Sequence, residues 1–145
     1  MTFDRDRRCE LLAVADPAAL KQLAERCLDQ GPPVTVLSGP EIGAVALQVR
    51  EPVAHERFYL GEALVTRVEV DADGSRGWAM RMGTDRLATL AAAILDATAA
   101  SEGASRSLAA EIDELCRATE DELAAADSEE WAELALTEVQ FEELD

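Results

Sequence analysis

One histidine, three cysteines and a large excess of carboxylates are the groups from which a self-contained catalytic or metal site would have to be built. His55 stands alone, with no Cys or His near it, whereas a metal set needs three or four convergent donors. It reads as a solvated loop residue rather than a base or ligand. Cys9, Cys27 and Cys116 are odd in number, widely spaced and free of any C-x-x-C. That usage fits reduced thiols of a cytoplasmic protein and not a disulfide or zinc framework. Cys27 shares helical spacing with Leu20, Leu23 and Leu28, which makes it core filling in preference to a reactive thiol. No phosphate-cradling G-x-x-x-x-G-K-[ST] is present, and no G-x-S-x-G. The acidic runs Glu120-Asp121-Glu122 and Asp127 to Glu130 lack the loop glycine of a calcium site. Such a chain works through partners.

The elements that would position any site centre on the stretch from Arg57 to Gly83. Val, Leu and Thr dominate Ala63 to Val70, the composition of a strand, and Gly77 to Met82 returns after a turn at Asp73-Gly74. Period-two alternation places Leu64, Thr66 and Val68 on one face and Trp78, Met80 and Met82 on one face of the partner strand. Pairing Val68 with Trp78, Thr66 with Met80 and Leu64 with Met82 gathers the bulky groups inward. That register implies a three-residue loop, Ala72-Asp73-Gly74, with Gly74 at the positive-φ position. Arg67, Glu69, Gly77 and Arg81 then share the outer face, where Gly77 would admit a close neighbour. Gly61 interrupts the strand early, either as a bend that maintains twist or as room for another chain. Glu62 beside it reads as a solvent carboxylate or a partner for Arg67 or Arg81.

Upstream, a first helix is expected from about Asp4 to Ala15. Asp16-Pro17 caps a second, which ends at Gln30-Gly31-Pro32-Pro33. A hairpin is expected next, Val34–Ser38 paired with Ala44–Arg50 around a Gly39–Gly43 turn. Downstream, Thr84 is the expected cap of a third helix carrying Leu87, Leu90, Ala91, Ile94 and Leu95 inward. Residues 99–107 form a polar linker, and Ser105 or Ser107 caps a fourth helix with Leu108, Ile112, Leu115, Cys116 and Leu123 in a stripe. Asp127-Ser128 is expected to end it and start a last helix with Trp131, Leu134 and Ala135. The tail through Val139, Phe141 and Leu144 fits a helix or an extended arm. The fold class is α+β: one domain over 1–145, with helices at about 4–30 and 84–136 around a sheet at about 34–83. That sheet is four-stranded and antiparallel, two hairpins in a meander.

The 145 residues suffice for a real core, and 48% apolar content excludes wholesale disorder. No apolar run approaches the ~20 residues of a membrane span, and the N-terminus lacks a signal-peptide apolar segment. Thirty acidic against thirteen basic residues give a net charge of −17. Residues 1–100 hold fifteen acidic and eleven basic groups (−4), and residues 101–145 hold fifteen and two (−13). That field argues against binding nucleic acid or an anionic membrane directly. Two readings of it stay open: a solvated surface suited to a salty cytoplasm, and an acidic tail that docks on a basic partner.

The central stretch resembles the PhnG subunit family of the carbon–phosphorus lyase system. The family pattern F-x-x-G-E-x-x-x-T-R-x-x-V, a glycine-led second strand ending in G-R-D, and a helix ending in D-A are matched by Phe58, Gly61, Glu62, Thr66, Arg67, Val70, Gly77, Gly83, Asp85, Asp96 and Ala97. Pro40-Glu41-Ile42-Gly43 and the V-x-F at Val139 and Phe141 also match. The chain departs at 51–56, where the family has a glycine-rich loop, and at Thr84, where it has arginine. The resemblance implies a required but non-catalytic or site-completing subunit beside PhnH, PhnI, PhnJ and PhnL types. The implied assembly forms α-D-ribose 1-methylphosphonate 5-triphosphate from ATP and methylphosphonate with release of adenine. ATP is then a substrate of the assembly, and this chain alone binds no cofactor. Arg57, Arg67, Arg81 and Arg86 are the groups suited to phosphate oxygens or partner carboxylates, with a plain surface salt bridge the alternative for each. The competing reading is a free-standing acidic interaction protein unrelated to phosphonates.

Overall fold

The computed structural model describes residues 3–137. Its elements are α1 (Arg5–Val14), α2 (Pro17–Gln30), β1 (Val34–Arg50), β2 (Arg57–Ala72), β3 (Ser75–Met82), α3 (Arg86–Ala100) and α4 (Arg106–Ala135). Helix starts follow their caps. Asp4 accepts from the Arg7 N–H and Asp16 from the Ala19 N–H, with Pro17 at the first helical position. Asp85, not Thr84, caps α3: its carboxylate accepts from the Ala88 N–H at 2.9 Å. Ser105 caps α4. Asp127-Ser128 does not end that helix, since both residues are exposed and neither Gly nor Pro interrupts the run.

The sheet is antiparallel with order β1-β2-β3, so it has three strands and not four. The segments expected to pair with each other around Gly39–Gly43 both pair with one long β2 instead: Val34 to Val36 opposite Ala72 to Val70, and Ala44 to Arg50 opposite Leu64 to Arg57. Gly39-Pro40 makes a register shift inside β1 rather than a turn. Gly39 has φ +84°, and a Cβ there would lie 2.4 Å from the Arg67 carbonyl oxygen. The ladder also shifts between Val36 and Ser38, and again between Leu47 and Gln48, opposite Gly61 and Tyr59, so Gly61 does mark a bulge. The β1–β2 turn is at 51–56, where the Glu51 carboxylate accepts from the Val53 and Ala54 N–H groups.

The central hairpin is tighter than expected and shifted by one residue. Ala72 pairs with Ser75, leaving Asp73-Gly74 as a two-residue loop with both φ positive, 51° and 86°. Val68 therefore faces Ala79, Val70 faces Gly77 and Thr66 faces Arg81. This is the inner face, and α3 lies on it. Gly77 and Arg81 thus belong inside, while Trp78, Met80 and Met82 turn outward opposite Glu69, Arg67 and Val65. Small residues win the inner position because α3 comes close: a Cβ on Gly77 would sit 2.4 Å from the Ala93 carbonyl oxygen and from the Ala97 nitrogen. Gly77→Ala is expected to cost about 1–3 kcal/mol, as overpacking against backbone does. Gly43→Ala, with nothing within 4 Å, stays within about 0.5 kcal/mol of the parent; thermal melting of the two variants checks both.

The core is one cluster, from Leu11, Leu12 and Leu20 through Val68 and Val70 to Leu95, Leu108 and Ile112. Helix α3 is its centre, buried from Ala91 to Thr98. Buried Asp96 in this helix accepts from Arg8 at 3.3 Å, from Arg5 at 2.9 Å and from the Trp78 N–H at 3.2 Å. Arg5 also donates to the Arg76 carbonyl oxygen. The free edge of β3 is thereby occupied by side chains of α1 and α3, which protects it from pairing with another strand.

Candidate functional site

Past the end of β3, β1 and β2 continue as a two-stranded arm, with Ala44–Arg50 paired against Arg57–Leu64. At ~3.4 Å per residue it is about 24 Å long. Every residue of β1 from Glu41 to Arg50 is exposed. The face of the arm that continues the outer face of the sheet carries Val45, Leu47 and Val49 on β1 and Phe58 on β2, the last 46% exposed. On β3 the same face carries Trp78, 45% exposed, and Met82, 73% exposed. Helix α1 flanks one side of it, leaving a groove of about 420 Å³ between Cys9 and Ala13 on the helix and Val65, Trp78, Met80 and Met82 on the strands. The opposite face exposes Ile42, Leu64 and Tyr59. A two-stranded hairpin is at best marginally stable in water, and contiguous apolar patches on soluble proteins mark interaction sites. The geometry is that of a candidate docking surface.

The residues singled out from the sequence divide into two groups. Thr66, Gly77, Arg81, Gly83, Asp85, Asp96 and Ala97 build the joint between sheet and helices. The buried Thr66 hydroxyl donates to the Gly83 carbonyl oxygen at 2.8 Å, and the Gly83 N–H donates to Leu64 O at 2.8 Å, with Gly83 at φ +89°. The Arg81 guanidinium donates to the Leu12 and Ala15 carbonyls, closing the C-terminal end of α1. Burial lowers its pKa, against the pull of Asp85 and Asp16. The bond from the Ala88 N–H, with the Lys21 ammonium adding to it, holds the Asp85 carboxyl below the usual carboxylate range. Asp96 and Ala97, legible in the sequence only as a motif, turn out to anchor α1 and to receive Gly77.

Phe58, Gly61, Glu62, Arg67, Arg57 and Arg86 form the other group, all exposed. Arg67 lies at the centre of the outer face between Met80 and Glu41 and pairs with the Glu41 carboxylate at 3.3 Å. Glu62 lies opposite Ala46, and among the described residues it pairs with neither Arg67 nor Arg81. Arg57 faces Arg50 at the tip of the arm, two like charges directly opposite, a placement that disfavours the bare arm. Arg86 is the first residue of α3. The four arginines are not brought together into one anion site. Sequence reasoning missed Arg50, and it missed the apolar outer face by assigning its bulky groups to the core.

The nucleophile chemistry is quiet. Burial pushes the Cys9 and Cys116 thiols up to about 11 and raises Cys27 as well, so the thiolate is scarce at neutral pH. Among the described residues no three His, Cys, Asp or Glu side chains converge as a metal set, and no helix is long and apolar enough to cross a membrane. The tail through Val139, Phe141 and Leu144, expected as a helix or an extended arm, lies outside the described residues. No curated protein sequence matches the chain. The family model described as phosphonate metabolism protein PhnG matches residues 3–144, nearly the whole length. The chain belongs to the PhnG family of phosphonate metabolism proteins.

Proposed function

We propose that this chain is a non-catalytic, site-completing subunit of the carbon–phosphorus lyase core assembly, docked through the outer face of its sheet and arm. The reaction of that assembly is formation of α-D-ribose 1-methylphosphonate 5-triphosphate from ATP and methylphosphonate: a phosphonate oxygen bonds to ribose C1 as the bond to adenine breaks. ATP is a substrate of the assembly, this chain holds no cofactor of its own, and the site of action is the cytoplasm. Its neighbours are the PhnI, PhnJ, PhnH and PhnL types of subunit. The observation that carries this reading is the arm, with apolar residues exposed on both faces and no helix layer of its own. A surface of that kind is stable when another chain covers it. The quiet thiols and the isolated His55 are consistent with a subunit that supplies shape and not a nucleophile. Membership of a phosphonate metabolism family sets aside an acidic interaction protein unrelated to phosphonates.

The test is adenine release, followed by chromatography, from ATP and methylphosphonate. The isolated chain is expected to release none. The chain co-purified with the other subunits releases it, and the same subunits without this chain release little. Turnover by the isolated chain would contradict the reading.

A further inference from the structure

The first half of α4 packs into the core through Leu108, Ile112, Cys116 and Thr119. The helix then runs on to Ala135 with no further buried residue, a projection of about 24 Å at ~1.5 Å per residue. The apolar stripe of the packed half continues at helical spacing as Leu123, Trp131 and Leu134, but no described residue of the chain covers it. Trp131 is 72% exposed. An indole left in water at the end of a helix is costly surface, and buried tryptophans are the anchors that dominate many interfaces.

The charge around the stripe narrows what can cover it. Every charged residue from Glu120 to Leu136 is acidic, and no basic residue occurs in the last turn of α4. Glu129 and Glu133 stand four apart on one face, a repulsive pair, and the negative end of the helix dipole lies beside them. Cations supplied from outside would relieve both. An anionic membrane or a nucleic acid has the wrong sign.

We propose that the projecting half of α4 is a second docking element, an acidic amphipathic helix seated in a basic, apolar-floored groove of a protein partner. This rests on the reading of the chain as an assembly subunit, and the groove belongs to another subunit of that assembly. The mode is that of an amphipathic helix laid in a groove, with Trp131 and Leu134 as anchors and the flanking glutamates paired to Lys or Arg.

The probe is the set of other lyase subunits purified without this chain, titrated with the full-length parent, with Trp131→Ala/Leu134→Ala, and with Glu129→Gln/Glu130→Gln/Glu133→Gln. All five positions are exposed, so the free variants are expected to melt like the parent. Both variants should bind at least ~10-fold more weakly, the equivalent of about 1.4 kcal/mol. The charge variant should also flatten the loss of affinity between low and high KCl. Parent-like binding and salt dependence in both variants overturns the proposal. A loss confined to the apolar variant overturns the basic character of the groove. Failure of the parent itself to bind the other subunits is a different result: it removes the subunit reading and the proposal with it.

Discussion

Replacing Asp96 by alanine is expected to cost about 3–5 kcal/mol, the range for breaking a buried ion pair by removing one partner. At this chain length that lowers the melting temperature by roughly 10 °C. The carboxylate is fully buried and its two oxygens serve three donors: Arg8, itself buried, Arg5, and the Trp78 N–H on the free edge of β3. Without it the Arg8 guanidinium is left in the core with no counter-charge, and an edge N–H loses its acceptor. Half-exposed Arg5 can turn to water and contributes little to the loss. Asp96→Asn keeps an acceptor but not the charge, so it should fall between parent and alanine. Calorimetry of the three proteins checks the order.

Phe58→Asp and Arg67→Ala are expected to act on assembly and not on the fold. Both side chains are exposed on the outer face, so free-chain stability should move by no more than about 0.5 kcal/mol. Docked, Phe58 is worth about 1.5–3 kcal/mol of burial, and an aspartate there adds an unpaired charge, for a loss of about 100-fold or more in affinity. Arg67, buried by a partner with its counter-charge, should cost about 2–5 kcal/mol when truncated. Pull-down of the larger lyase subunits, set beside melting of the free variants, separates the two effects. Parent-like assembly by both would make the outer face ordinary solvated surface.

The helices and their caps were largely legible, because Asp16-Pro17, Gly31 and Ser105 act through local backbone chemistry that needs no tertiary partner. The cap of α3 lies one residue beyond Thr84, at Asp85, and both side chains are able to cap. The sheet was harder for a physical reason. Bulky Trp78, Met80 and Met82 look like core, yet all three turn to the outer face, which no helix of this chain covers as α3 covers the inner one. What the inner face needed was small residues at Gly77 and Ala79, a requirement imposed by the alanines of α3 and invisible without that packing. Asp73-Gly74 carried the signal for the tighter turn, and reading it as a two-residue loop would have turned Gly77 and Arg81 inward. Gly39-Pro40 misled in the opposite direction, because a glycine that allows close approach to the Arg67 carbonyl reads locally as a turn. The motif likewise mixes Thr66, Gly83, Asp85 and Asp96 at the joint with exposed Phe58, Gly61, Glu62 and Arg67, and only the fold separates them.

Hydrogen exchange along the arm tests the central claim, that the outer face and arm are covered by another subunit. In the free chain the amides of Ala44–Arg50 and Arg57–Ala63 should exchange early, because nothing but strand pairing protects them, while α3 from Ala91 to Thr98 exchanges last. In the purified assembly the arm should become protected to the level of α3, with little change in α3 itself. Arm amides that exchange as fast in the assembly as in the free chain would contradict the account.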